Sequence, residues 1–209
     1  MDQARSQFLR ILIDDVQRAL DRTASTDTQS DRRNLLRTII SAAEGASWIY
    51  RVHVLSVAQQ FDVATPQIEM AFAEASFSVS GSGEIVEQAR YIPLTAMIRL
   101  TTNVAQSFCP GADVDFGDAG WQKLRIGIAA RNRITHPKND NDLILSDAEI
   151  EAAKAGFFWF LDISANVMEK TVKAYSELVA DLKQLGQELQ SGDPEALELY
   201  RRVHQGQGE

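Results

Sequence analysis

The sequence predicts an all-α protein, a helical bundle with a long C-terminal helix and at most a minor β-hairpin. Three observations predict it. Apolar residues recur at three- and four-residue steps along nearly all of the 209 residues. Helix-start signals interrupt that pattern cleanly at Thr65-Pro66 and at Ser146-Asp147-Ala148-Glu149. Leu161, Met168, Tyr175, Leu182 and Leu189 then fall seven residues apart, which makes a coiled-coil-like seam.

Residues 2–22 read as a first helix, with Phe8, Leu12, Val16, Ala19 and Leu20 on its apolar face. Residues 23–30 are a polar loop, and Ser30 or Asp31 is the expected cap of a second helix over about 31–60. Leu36, Ile40, Ala43, Ser47, Tyr50 and Val54 form that helix's stripe. Thr65-Pro66 opens a third helix running to about Ser76. The alternation from Phe77 to Val86 around Gly81-Ser82-Gly83 reads as a hairpin or a loop. Pro93 opens a fourth helix reaching about Cys109, with Leu94, Met97, Ile98, Leu100 and Val104 as core. After a Gly- and Asp-rich loop, Asp118 caps a short helix over about 118–136. A polar turn and a short extended piece lead to the Ser146–Glu149 capping box. From there one helix runs to about Gln190, and Phe157-Phe158-Trp159-Phe160 near its start reads as packing. Gly192-Asp193-Pro194 ends it and begins another short helix, with the tail fraying from Gln205. The bundle is assigned to residues 1–175 and a helical extension to 176–209.

The formal net charge is −8 and 44% of the residues are hydrophobic. That balance suits a globular chain and excludes sequence-independent nucleic-acid binding by the surface as a whole. No run approaches a bilayer span, so no membrane association is expected. Cys109 is alone, which rules out an internal disulfide and fits the reducing cytoplasm. Asp140 and Asp142 lack the glycine and terminal Glu of an EF-hand loop. No metal-ligand spacing, Gly-rich phosphate loop or serine elbow is present, so no metal and no cofactor is expected.

The chemistry concentrates at Arg131-Asn132-Arg133-Ile134-Thr135-His136, followed by Pro137-Lys138. Between Trp121 and Lys138 stand five basic residues (Lys123, Arg125, Arg131, Arg133, Lys138) and no acid. In an acidic chain, that local reversal of sign marks a docking place for an anion such as an RNA backbone. At about 100° per residue, Trp121, Leu124 and Ile128 share one face. Arg131 falls on one edge of it, Asn132, His136 and Arg125 on the other, and Arg133 points away. Polar groups bordering an apolar stripe are expected to be half-buried or to face a partner. Imidazole is the side chain that changes charge near neutral pH. Glu44, beside the second helix's stripe, needs a cationic partner. Its local neighbours Arg37 and Arg51 are favoured over Arg131 or His136. His53 reads as a surface or packed histidine.

The segment Arg131-Asn132-x-x-x-His136 resembles the R-x(4–6)-H signature of HEPN domains, in the form with a polar residue straight after the Arg. The architecture of about residues 30–175 is similar as well. The resemblance implies a small helical bundle and a metal-independent endoribonuclease of toxin, phage-defence or RNA-processing systems. It implies a homodimer that joins two motifs, and an inhibitory partner protein in the toxin setting. Position 138 departs from the toxin group that a nucleotidyltransferase modifies: a Tyr stands there in that group and Lys138 here. That regulation is not carried over.

On this reading His136 is the general base, Arg131 the anion stabiliser and Asn132 the orienting group. Arg125, Lys138 and Arg133 are substrate-binding candidates, and Glu44 is a candidate orienting acid. A second class remains open, a non-catalytic helical interaction or RNA-binding module, because Arg, Asn and His also serve as ordinary helix-end residues. Convergence of Arg131 and His136 on an open cleft favours catalysis, and separate internal pairs favour the second class.

Overall fold

The computed structural model describes the backbone of residues 2–205 and the side chains of residues 7–203. Of the tail expected to fray from Gln205, everything beyond that residue lies outside the described part. The fold is all-helical with one small hairpin. Helix α1 (Asp2–Thr26) turns sharply into α2 (Gln29–Gln60). The turn is shorter than the polar composition suggests, because Thr28 is the cap and Asp31 closes the capping box from the third helical position. Neither Ser30 nor Asp31 is the cap itself.

Asp31 is buried and fully employed. The Thr28 and Thr26 hydroxyls donate to its carboxylate, and the Arg22 guanidinium lies 2.9 Å away. Those hydroxyls, the Thr28 one foremost, hold its pKa down to about 2. A carboxyl whose pKa is lower in the folded state contributes stability above the unfolded value of 3.8 and loses it as pH falls. Wild-type stability should therefore drop between about pH 4 and about pH 2. In Asp31→Asn that part of the pH dependence should be absent, with a lower denaturation midpoint already at neutral pH. Urea titrations at several pH values read both effects.

Helix α2 is the central post. Its Leu35, Leu36, Ile39, Ile40, Ala43, Tyr50 and Val54 are buried, and α1, α4, α5 and α6 pack around it. Burial pushes the Tyr50 phenol up to about 12, and its hydroxyl pairs with Thr102 at 3.0 Å. Helix α3 (Pro66–Phe72) is capped by Thr65 but stops four residues before Ser76. The chain reverses at Glu74, whose φ of 52° is left-handed. The hairpin follows as β1 (Ala75–Val79) and β2 (Ile85–Ala89), paired Phe77 to Glu87 and Val79 to Ile85. Helix α4 (Leu94–Phe108) starts after Pro93, and α5 (Ala119–Thr135) runs from the Asp118 cap to His136. In place of an extended piece there is a 3-10 turn at Asp140–Leu143, capped by Asn139.

Helix α6 (Asp147–Ser191) is 45 residues long and starts at the Ser146–Glu149 capping box. It runs beside α2 in the same direction, with Arg32 pairing Asp147 at one end and His53 meeting Thr171 at the other. Phe157 and Phe160 are core, whereas Phe158 is exposed. Thr171 is the last buried residue of α6. Past it α7 (Pro194–Gln205) folds back, burying Ala196, but Tyr175 and Leu182 of the seam stay exposed. No helix among the described residues is long and apolar enough to cross a membrane.

Candidate functional site

Helix α5 carries the Arg131–His136 segment, and its position is set by small residues. A β-carbon on Gly156 of α6 would overlap the backbone of Lys123 and Leu124. One on Gly120 would overlap the Trp159 indole. Gly127 also lies close to Ala153, though less tightly, at 3.0 Å from an added β-carbon. The two helices therefore meet backbone to backbone, antiparallel. Trp121 seals the near end, edge-to-face with Phe116, tilted against Trp159 and covered by the Arg99 guanidinium at 5.2 Å.

This packing rotates the buried side of α5. Gly120, Trp121, Leu124, Gly127, Ala130 and Ile134 are buried, and Ile128 only partly. On an ideal helix the buried arc is turned by roughly 60° from the Trp121–Leu124–Ile128 stripe. Arg131, expected at an edge, instead faces the bundle. It is half-buried and ion-paired with Glu44 of α2. The local partners favoured for Glu44 are not used: Arg51 pairs with Glu74 at 3.0 Å.

Asn132 and His136 are exposed, so of the two expectations, half-burial or facing a partner, half-burial is not met. With Arg125 they form one exposed polar strip, since these positions share a helix face. The His136 backbone N–H donates to the Asn132 carbonyl at 3.1 Å and closes the helix. Its imidazole makes no hydrogen bond or ion pair among the described residues. Arg131 and His136 lie about 140° apart around the axis, so one chain aims them in different directions.

Arg133 does not point into open solvent. It is half-buried and held by Glu149 at 2.6 Å, because α6 begins alongside the end of α5. Glu44 and Glu149 thus neutralise two of the five patch cations. Lys123, Arg125 and Lys138 are exposed and make no ion pair among the described residues. The Lys138 backbone N–H is bound by Asp142, which adds a negative neighbour. Cys109 is half-buried against the core, and His53 is packed, its Nε2 2.9 Å from the Thr171 hydroxyl. Among the described residues, no group of three or more His, Cys, Asp or Glu side chains is placed to hold a metal ion.

Beside the Arg131–Glu44 pair lies a cleft of about 220 Å³, absent from the sequence reading. Glu44, Ser47, Trp48 and Arg51 of α2 form one wall. Glu74 and Tyr91, the residues flanking the hairpin, form the other. The sequence signal was the run from Glu44 to Trp48 on one helix, but its completion by Glu74 and Tyr91 is non-local. No protein-family model matches the chain, and comparison with curated proteins and with solved structures likewise yields no match.

Proposed function

We propose that the chain is a metal-independent endoribonuclease of HEPN type. One observation carries the reading: His136, at the end of α5, presents an exposed imidazole with no hydrogen-bond or ion-pair partner among the described residues, in line with Asn132 and Arg125. RNA supplies its own nucleophile. The His136 imidazole takes the proton of a 2′-hydroxyl as its oxygen attacks the neighbouring phosphorus. The bond from phosphorus to the 5′-oxygen breaks, leaving a 2′,3′-cyclic phosphate and a 5′-hydroxyl. Arg125, on the same strip as His136, and the Arg131 of a second copy stabilise the charge on the phosphate oxygens, with Lys138 and Arg133 along the flanking backbone. Glu44 holds the Arg131 guanidinium in place.

The 140° between Arg131 and His136 is the physical reason for a homodimer. A second copy brings its own His136 to protonate the departing 5′-oxygen, and two-fold closure is the commonest assembly. The setting proposed is cytoplasmic, in a defence or toxin system with an inhibitory partner protein. The Arg131–Glu44 pair also favours a second reading, a non-catalytic RNA-binding or interaction module in which that pair is structural.

The test incubates the pure protein with total RNA and a chelator. Fragments ending in 2′,3′-cyclic phosphate, formed by wild type and not by His136→Ala, support the nuclease. Intact RNA, or equal cleavage by His136→Ala, overturns it. Light scattering should give twice the chain mass at micromolar concentration, and a monomer there would remove the composite site.

A further inference from the structure

We infer that the cleft beside Arg131 and Glu44 is a binding site for a guanine base. Ser47 is 3% exposed and lines the cleft, yet its Oγ has no hydrogen-bond partner among the described residues. A helical serine ordinarily bonds back to the preceding turn or to solvent, and a buried hydroxyl left alone is costly. The Oγ itself is closed to solvent, so a polar ligand in the cleft satisfies it only when the Ser47 side chain turns toward that ligand.

The walls describe that ligand. Trp48 is 43% exposed and Tyr91 74%, so two aromatic rings stand at the mouth of a site lined deeper by Leu94 and Met97. The volume is below the roughly 300 Å³ at which sites for drug-sized ligands begin, and suits one flat heterocycle that stacks on an aromatic ring.

The polar groups select among bases. Glu44 gives Oε1 to Arg131, and its Oε2 makes no hydrogen bond among the described residues. Glu74 is fixed by the Arg51 guanidinium and by the Ile92 N–H at 3.1 Å. Carboxylates only accept and guanidinium only donates. The complementary base carries adjacent donors on one edge and adjacent acceptors on another. Guanine does, with N1–H and the N2 amino group, then O6 and N7. Adenine, cytosine and uracil each lack the paired donors. Glu74 holds this arrangement through a left-handed backbone, φ 52°, an unusual conformation for a residue other than glycine.

As a subsite of RNA, the inference deepens the ribonuclease reading and rests on it. The cleft would then place guanosine next to the scissile phosphate. As a base-binding cleft it stands without that reading. The test therefore measures binding and cleavage separately. Wild type is titrated with GMP, AMP, CMP and UMP by equilibrium dialysis, with tryptophan fluorescence as a second signal. GMP should bind at least about tenfold tighter than the others, since a site built to pair donors rejects a base lacking them. Trp48→Ala should weaken GMP at least about fivefold through lost stacking.

Ser47→Ala separates ligand recognition from folding. It should weaken GMP while leaving the melting temperature unchanged or higher, because the free protein loses an orphan hydroxyl. Equal binding of all four nucleotides, no binding, or GMP affinity untouched by both variants overturns the inference. A guanosine-containing oligomer binding tighter than GMP assigns the base to RNA; equal affinity assigns it to a free nucleotide. GMP binding without RNA cleavage retains the cleft and removes the nuclease. Cleavage at every base without GMP preference does the reverse.

Discussion

Gly156→Ala is expected to destabilise the fold by about 3 kcal/mol or more, while Gly186→Ala, the same change in the same helix, stabilises it. At Gly156 the new methyl would enter the backbone of Lys123 and Leu124, which cannot turn aside as a side chain can. The helices must separate, and Trp121, Leu124 and Ala153 lose their packing together. Overfilling a core typically costs about 1–3 kcal/mol, and a backbone obstacle puts this site at the top of that range or above. At Gly186 nothing lies within 4 Å of an added β-carbon. There the helix gains the roughly 0.8–1 kcal/mol by which alanine exceeds glycine. For a chain of this size each kcal/mol moves the melting temperature by about 2–4 °C. Gly156→Ala should melt at least about 6 °C lower and Gly186→Ala a few degrees higher. Equal shifts in both would mean that α5 and α6 are not in backbone contact.

The second large effect is on catalysis. If the ribonuclease proposal holds, His136→Ala should reduce cleavage by about 10²–10⁴-fold, the usual contribution of a general base. Its melting curve should coincide with wild type, because the exposed imidazole has no partner to lose among the described residues. Arg131→Ala should also suppress cleavage but lose up to about 1 kcal/mol of stability with the partly exposed Glu44 pair. Arg133 is no neutral control, since Glu149 holds it. Lys173, exposed on the far part of α6, serves instead. A His136→Ala protein that melts early would make this residue structural. One that cleaves normally would end its role as base.

What the sequence disclosed was local. Thr65, Asp118, Ser146 and Gly192 mark helix ends through hydrogen bonds spanning two to four residues, and the helices begin or end there. Thr28 escaped because its box partner is Asp31 rather than Glu or Gln. The buried side of α5 was misplaced because glycine and alanine mark a close helix contact without adding to an apolar stripe. Glu44 was assigned to a neighbour on its own helix, although its partner lies 87 positions away. Nothing in local spacing encodes that pairing, nor the closure of the Ser47 cleft by Glu74 and Tyr91.

The length of α6 has a hydrodynamic consequence. From Thr171 to Ser191 it continues for on the order of 30 Å, accompanied along part of that way by α7. A compact body bearing such a rod diffuses more slowly than a sphere of equal mass. In gel filtration a single chain will elute early, at the volume of a larger globular protein. An early peak is therefore no sign of dimerisation. Sedimentation velocity, which separates friction from mass, would show a raised frictional ratio for the monomer as well as for any dimer.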